Sequence, residues 1–208
     1  MADPISDVAF TAAVKAMQSR RGSRRAYARM EAGGGWRAEA TADLARFIAQ
    51  RDSFYLGTAS AAGQPYIQHR GGPRGFLRVL DTRTLAFADF RGNRQYITAG
   101  NLAENPRAFV FLMDYAERAR VKLWGSARIV DDDPPLLARL MPEGYRAQPE
   151  QAIVFTVEAW DANCPQHIPR LYAEDDVARI VAGLKARIAE LEGRAAPAAA
   201  RPSPRTRA

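Results

Sequence analysis

A chain of 208 residues and 22.9 kDa has room for one ordinary domain with a small appendage. With 47% hydrophobic and 25% charged residues it is not a disordered polymer, and no apolar run nears the roughly 18 residues of a membrane helix. The net charge of +7 sits at the ends, +6 in residues 15–37 and +4 in 194–208 against −3 elsewhere, which argues against a polyanion-binding face on the central fold.

The opening MADPISDVAF places Asp3 and Asp7 where a secretory leader carries positive charge, so a soluble, cytoplasmic protein is expected. Residues 5–30 read as one loosely amphipathic helix, through Val8, Phe10, Ala13, Val14 and Met17, ended by Gly33-Gly34-Gly35. Residues 1–40 are therefore expected as an N-terminal helical extension. Its Arg20-Arg21-Gly22-Ser23-Arg24-Arg25 run reads as a solvated segment, and nucleic acid is not the expected partner. A short helix over 42–50 follows, capped by Thr41 and apolar at Leu44, Phe47 and Ile48.

From Ser53 to Trp160 the signals become strands: 53–59, 65–70, 76–80, 84–90, 107–115, 120–130 and 152–160. Short strands with few helices between them predict a mainly β fold with flanking helices, an antiparallel barrel of six to seven strands, over 41–173. A short helix around 136–140 interrupts the connection between the last two strands. Residues 174–193 predict an amphipathic helix with Val177, Val181, Leu184, Ile188 and Leu191 on one face, and the Ala-, Pro- and Arg-rich 194–208 a disordered tail. One cysteine, Cys164, excludes an internal disulfide, and two histidines, His69 and His167, argue against a metal cage within one chain.

The chemistry concentrates in FADFRGNRQYITAGNLAENP, residues 87–106. A buried strand ends near Phe90, a glycine-containing loop follows, and a helix is expected to start near Asn93 as its N-cap. Unpaired N–H groups of a first helical turn form an anion site, Arg94 adds a fixed positive charge and Gln95 an amide donor, which together suit a phosphate monoester. A capped surface helix with a solvated arginine is the competing reading. Upstream, GQPYIQHRGGPRGF (63–76) runs a strand into Gly71-Gly72, where the missing Cβ atoms let backbone approach a flat ring. Gln68, His69 and Arg70 alternate faces along that strand; Arg70 or Gln68 could bond a polar ring edge or meet a phosphate. His69 is either a structural histidine or a proton donor to a reduced cofactor.

Phe87-Ala88-Asp89-Phe90-Arg91-Gly92-Asn93-Arg94-Gln95 resembles the phosphate motif of the pyridoxamine 5′-phosphate oxidase-like family of FMN-binding split barrels. Asn93 and Arg94 fall on that motif's Ser-Arg positions, and Gln95 replaces its lysine. HRGGPRGF, DFRGNRQY, GNLAENPR and NCPQHIP together look like a general flavin-nucleotide-binding subgroup of that family. The resemblance implies an FMN-dependent oxidoreductase: a homodimer with FMN at the interface, reduced by a small-molecule donor such as a nicotinamide nucleotide. Gln68, His69, Arg70, Gly71, Ala88, Asp89, Asn93, Arg94 and Gln95 would line the flavin. Arg120, Lys122 and Trp160, with Cys164 and His167 nearby, would border it from the later strands or the facing subunit. Pro73 stands where the vitamin B6 oxidase carries a substrate-binding lysine, and that enzyme's C-terminal tryptophan-to-arginine segment is missing, so B6 oxidation itself is not implied. The alternative is a flavin carrier or sensor without a substrate, or a relative that takes a deazaflavin or haem.

Overall fold

The computed structural model describes residues 3–163 and 165–195, in two compact units, one ending at Ile168 and one beginning at Pro169. Cys164 and residues 196–208 of the expected tail lie outside the described residues.

The stretch expected as one N-terminal helix is three pieces. A 3-10 turn at Ile5–Val8 precedes α1 (Ala12–Arg20), whose cap Thr11 accepts from the Val14 N–H at 3.3 Å, and α2 (Arg24–Ala32) follows. The break between α1 and α2 falls at Gly22, which adopts φ +79, a left-handed conformation that glycine reaches without a Cβ clash. Next, α3 (Ala42–Ala49) starts at Thr41, whose hydroxyl accepts from the Leu44 N–H at 3.2 Å, and it buries Leu44 and Ile48.

Seven strands form one antiparallel sheet: β1 (Ser53–Ala59), β2 (Pro65–Gly71), β3 (Arg78–Val79), β4 (Thr84–Phe90), β5 (Arg107–Asp114), β6 (Ala119–Val130) and β7 (Pro149–Asn163), in the order β2-β1-β5-β6-β7-β4-β3. Between them run α4 (Ile97–Glu104) and α5 (Pro134–Leu140); the second unit carries α6 (Glu174–Ala195). The third strand, expected over 76–80, shrinks to two residues. Phe76 and Leu77 are each 2% exposed, and they enter the core from the turn at Gly75 rather than from a ladder.

The sheet curls so that strands far apart in its order meet inside it. Phe54 of β1 lies edge-on to Phe87 of β4 at 5.1 Å, and Phe76 stacks on Phe54 at 5.5 Å. Alternate residues of β5, Ala108, Val110 and Leu112, point the same way, as do Val121 and Leu123 of β6. Strand β4 is buried on both faces: Leu85 and Phe87 join the barrel core, whereas Ala86 and Ala88 pack in a smaller cluster with Leu140 of α5. Each fully buried Leu, Ile or Phe contributes about 1.5–3 kcal/mol, so this interior is the main source of stability. A bulge at Trp124/Gly125 bends β6 where it runs beside β7.

The N-terminal extension packs against the barrel wall. Trp36 stacks on Trp124 at 4.5 Å, and Phe10 lies 5.1 Å from Trp36. Among the described residues no helix is long and apolar enough to cross a membrane.

Candidate functional site

The loop from Arg91 to Tyr96 joins the buried end of β4 to α4. The helix starts at Ile97, four residues later than the expected Asn93 cap, and its flanking residue, Tyr96, makes no side-chain cap. Asn93 instead turns the loop on itself: its Oδ1 accepts from the Gln95 N–H at 3.2 Å, a local bond that competes with helix formation. Arg94 at φ +60 and Tyr96 at φ +53 are both left-handed. For residues with a Cβ this costs of order 1 kcal/mol each, and such strain gathers at functional sites.

The loop overhangs a cleft of about 260 Å³ whose opposite wall is β2. Period-two alternation brings Tyr66, Gln68 and Arg70 of β2 to this cleft, facing Asp89 and Phe90 at the end of β4. Asn93, Arg94 and Gln95 line its loop side, with Thr98 of α4 and Glu150 of β7. Gln68 Oε1 accepts from the Thr98 hydroxyl at 2.7 Å. About one turn further along the helix, Asn101 Nδ2 donates to the Thr58 hydroxyl at 3.0 Å, a buried bond that pins α4 to β1. Arg70 pairs with Asp89, which also accepts from Gln151 Nε2 at 2.9 Å. Arg70 Nε is buried and has no hydrogen-bond partner, an uncompensated donor.

Charge is distributed unevenly along the cleft. At the β2 end the Arg70 charge is matched by Asp89. At the loop end Arg94 lines the cleft with Glu150, whose carboxylate also lies 3.4 Å from Nε of Arg91, a residue outside the cleft lining. Arg94 Nε donates to the Tyr96 hydroxyl at 3.0 Å. That bond, then the charges of Tyr96 and Glu150, raise the Arg94 pKa above its ordinary value. The loop end therefore carries permanent positive charge beside the unpaired N–H groups of the first turn of α4.

An adjoining cleft of about 190 Å³ shares Gln68, Arg70, Phe90 and Gly92 with the first, and adds His69, Gly71 and Ala88. His69 is exposed, with its ring edge-on to Tyr55 at 5.7 Å. Gly72, expected to admit a flat ligand, instead admits a ring of its own chain: a Cβ there would lie 2.8 Å from Cγ of Phe76.

Arg120, Lys122 and Trp160 line neither cleft. Trp160 Nε1 donates to the Glu39 carbonyl at 2.8 Å, and its backbone bridges to Arg37, tying the N-terminal segment to β7. Lys122 lines a separate cleft of about 490 Å³ with Phe10, Tyr27, Trp36 and Trp124. Burial lowers the Lys122 pKa, Asp161 opposes that shift, and Arg120 adds to it. His167 is exposed and left-handed at φ +63. Several residues of the first cleft, Tyr66, Tyr96, Thr98 and Glu150 among them, were not expected as site residues from sequence. Tyr66 was readable from the alternation with Gln68 and Arg70, whereas Tyr96 and Glu150 meet only through the fold.

A curled antiparallel barrel with a strained strand–loop–helix turn over a polar cleft defines the split-barrel class of proteins. The family model for pyridoxamine 5′-phosphate oxidase matches residues 40–164, and the chain belongs to that family. No curated protein matches it. Several solved structures are similar. HupZ from Group A Streptococcus is 17% identical, with 64% of this chain and 98% of that one covered and a TM-score of 0.49. A putative pyridoxamine 5′-phosphate oxidase from Lactobacillus delbrueckii is 19% identical, covering 60% and 95% at a TM-score of 0.46. An FMN-binding protein from Syntrophomonas wolfei is 15% identical, covering 59% and 85% at 0.45.

Proposed function

We propose that this chain binds FMN in the cleft between β2 and the β4–α4 loop, as a homodimer, and transfers electrons or hydride between that flavin and a small-molecule donor. The observation that carries the reading is the buried, unpartnered Arg70 Nε in a cleft whose other wall holds two left-handed residues, Arg94 and Tyr96. A buried donor without an acceptor is costly, and a ligand oxygen or nitrogen at that point removes the cost. The residues fit the cofactor. At the loop end Arg94, Gln95 and the first-turn N–H groups of α4 hold its phosphate. At the β2 end Arg70 Nε and the amide of Gln68 meet the polar edge of the ring, and Thr98 fixes that amide by occupying Gln68 Oε1.

When bound, FMN supplies the two-electron chemistry, and the protein contributes binding, orientation and electrostatics. Because Asp89 matches the charge of Arg70, the β2 end offers hydrogen bonds more than net charge. Arg120, Lys122 and Trp160 lie off the cleft of their own chain, as residues serving the cleft of a second copy would. Ile67, 69% exposed beside His69 on the outer strand β2, offers apolar surface for that copy.

The test is the visible spectrum of the purified protein, with release and identification of its chromophore. Bound FMN bleached by a nicotinamide nucleotide or another donor supports the reading. Bound FMN that no donor bleaches points to a carrier or sensor, and a released deazaflavin or haem replaces the ligand. A colourless protein that takes up no added FMN overturns it.

A further inference from the structure

Helix α6 spans 22 residues and carries Val177, Val181, Leu184, Ile188 and Leu191 at alternating spacings of four and three. These five side chains are 41–59% exposed. Written as heptads, Val181 and Ile188 occupy a, and Val177, Leu184 and Leu191 occupy d. In the last two heptads, β-branched Val181 and Ile188 at a with Leu184 and Leu191 at d are the combination that favours two parallel strands over higher oligomers.

The flanking charges agree with that geometry. Arg187 falls at g and Glu192 at e of the next heptad, and in a parallel pair these positions face one another across the seam. Arg187 would meet Glu192 of the partner subunit, and the two-fold axis repeats the pair. Ile180, 57% exposed at the preceding g position, widens the apolar stripe at a site where the methylene stem of Lys185 of the partner subunit would cover it. Glu174 at the first a position ends the seam.

We infer that α6 pairs with α6 of a second copy as a short, parallel, in-register two-stranded coiled coil. At about 33 Å the helix is too short to hold free chains together firmly. It acts between chains already associated, where the local concentration of one helix for the other is high. The inference thus rests on the homodimer proposed above.

Disulfide trapping in the full-length protein tests it. On a Cys164→Ser background, Leu191→Cys puts a thiol in the seam, and Ala189→Cys puts one on the outer face of the same turn. Under mild oxidation the seam thiol should link two chains about ten-fold faster than the outer one. Adding Arg187→Glu should slow it, and adding Glu192→Arg to that variant should restore it. Leu191 lies near one end of α6, so an antiparallel pair keeps its thiols apart. Equal rates for Leu191→Cys and Ala189→Cys therefore overturn the parallel pairing. Light scattering on the parent protein separates the two readings. A dimer with equal rates leaves the homodimer standing without this helix pair, and a monomer at every concentration overturns both.

Discussion

Arg70 of β2 and Asp89 of β4 are ion-paired although their strands share no ladder and lie five places apart in the sheet order. Their side chains are 12% and 13% exposed, so the pair clamps the barrel at the mouth of the cleft in a partly water-excluded place. The clamp also fixes the guanidinium that leaves Nε unpartnered. On the proposed reading, stability and ligand binding are coupled at this one side chain.

Asp89→Ala should cost about 3 kcal/mol, because it strands the Arg70 charge and removes the acceptor of Gln151. Arg70→Met with Asp89→Leu should recover most of that loss, since a shielded pair replaced by apolar groups of similar size is often near neutral. Urea denaturation measures both. Flavin titration should then find the stable double variant still defective, which separates the structural role of the pair from its role toward ligand.

Arg94→Ala removes an exposed side chain and should leave the melting temperature unchanged within a degree or two. It should weaken FMN binding about 10- to 100-fold, the worth of a charge-assisted contact of about 1.5–3 kcal/mol. Riboflavin, which has no phosphate, should bind parent and variant alike. Calorimetric titration with both ligands checks this, and equal losses for the two would place Arg94 away from the phosphate.

Much of this arrangement was legible in the sequence. Turn signals and alternation marked β1, β2 and β4 because each is a local pattern ended by glycine, proline or a charged turn. The strand–loop–helix order around Arg94 was visible for the same reason. Where the helix begins was not: the Asn93 side chain satisfies the Gln95 N–H, and the chain then passes through two left-handed residues that no propensity predicts. The N-terminal pieces read as one helix because apolar spacing alone does not register the left-handed Gly22. Glu150 and Tyr96 stand 54 positions apart and become neighbours only when β7 lies beside β4.

On the proposed reading Thr98 is a positioning residue. It is 3% exposed and donates to Gln68 at 2.7 Å, so Thr98→Val frees the Gln68 amide to rotate. FMN and riboflavin should both bind more weakly, by similar factors of about 5 to 15, the worth of a net hydrogen bond of 1–1.5 kcal/mol. That equal loss contrasts with the phosphate-selective loss of Arg94→Ala. Serine at this position restores the hydroxyl, so Thr98→Ser should rescue binding, which a packing defect alone would not allow.

Gly125 sits where the bulge of β6 crosses β7, and a Cβ there would lie 1.9 Å from the Thr156 carbonyl oxygen. That neighbour is backbone held in the β4–β7 ladder and cannot yield by rotating. Gly125→Ala should therefore cost more than about 4 kcal/mol, in the rare tail of single substitutions, and give little soluble protein. By contrast a Cβ at Gly100 meets nothing within 4 Å, so Gly100→Ala in α4 should be neutral or stabilising by up to about 1 kcal/mol. Thermal melts of the two variants make the comparison.

Lys122 ties stability to alkaline pH. Burial holds its pKa below the ordinary 10.5, with Asp161 opposing the shift and Arg120 adding to it. Between the folded and unfolded pKa values the unfolded chain binds more protons, so raising pH through that window favours the folded state. Below the window the cost of keeping the ammonium charged in its aromatic cleft is fully present; at the top it is gone. Lys122→Met lacks this titration. The stability of the parent relative to Lys122→Met should thus be flat near neutrality and rise as pH approaches 10.5. Urea midpoints of the two proteins at several alkaline values read the trend, and a difference that falls with pH would mean that Asp161 outweighs burial.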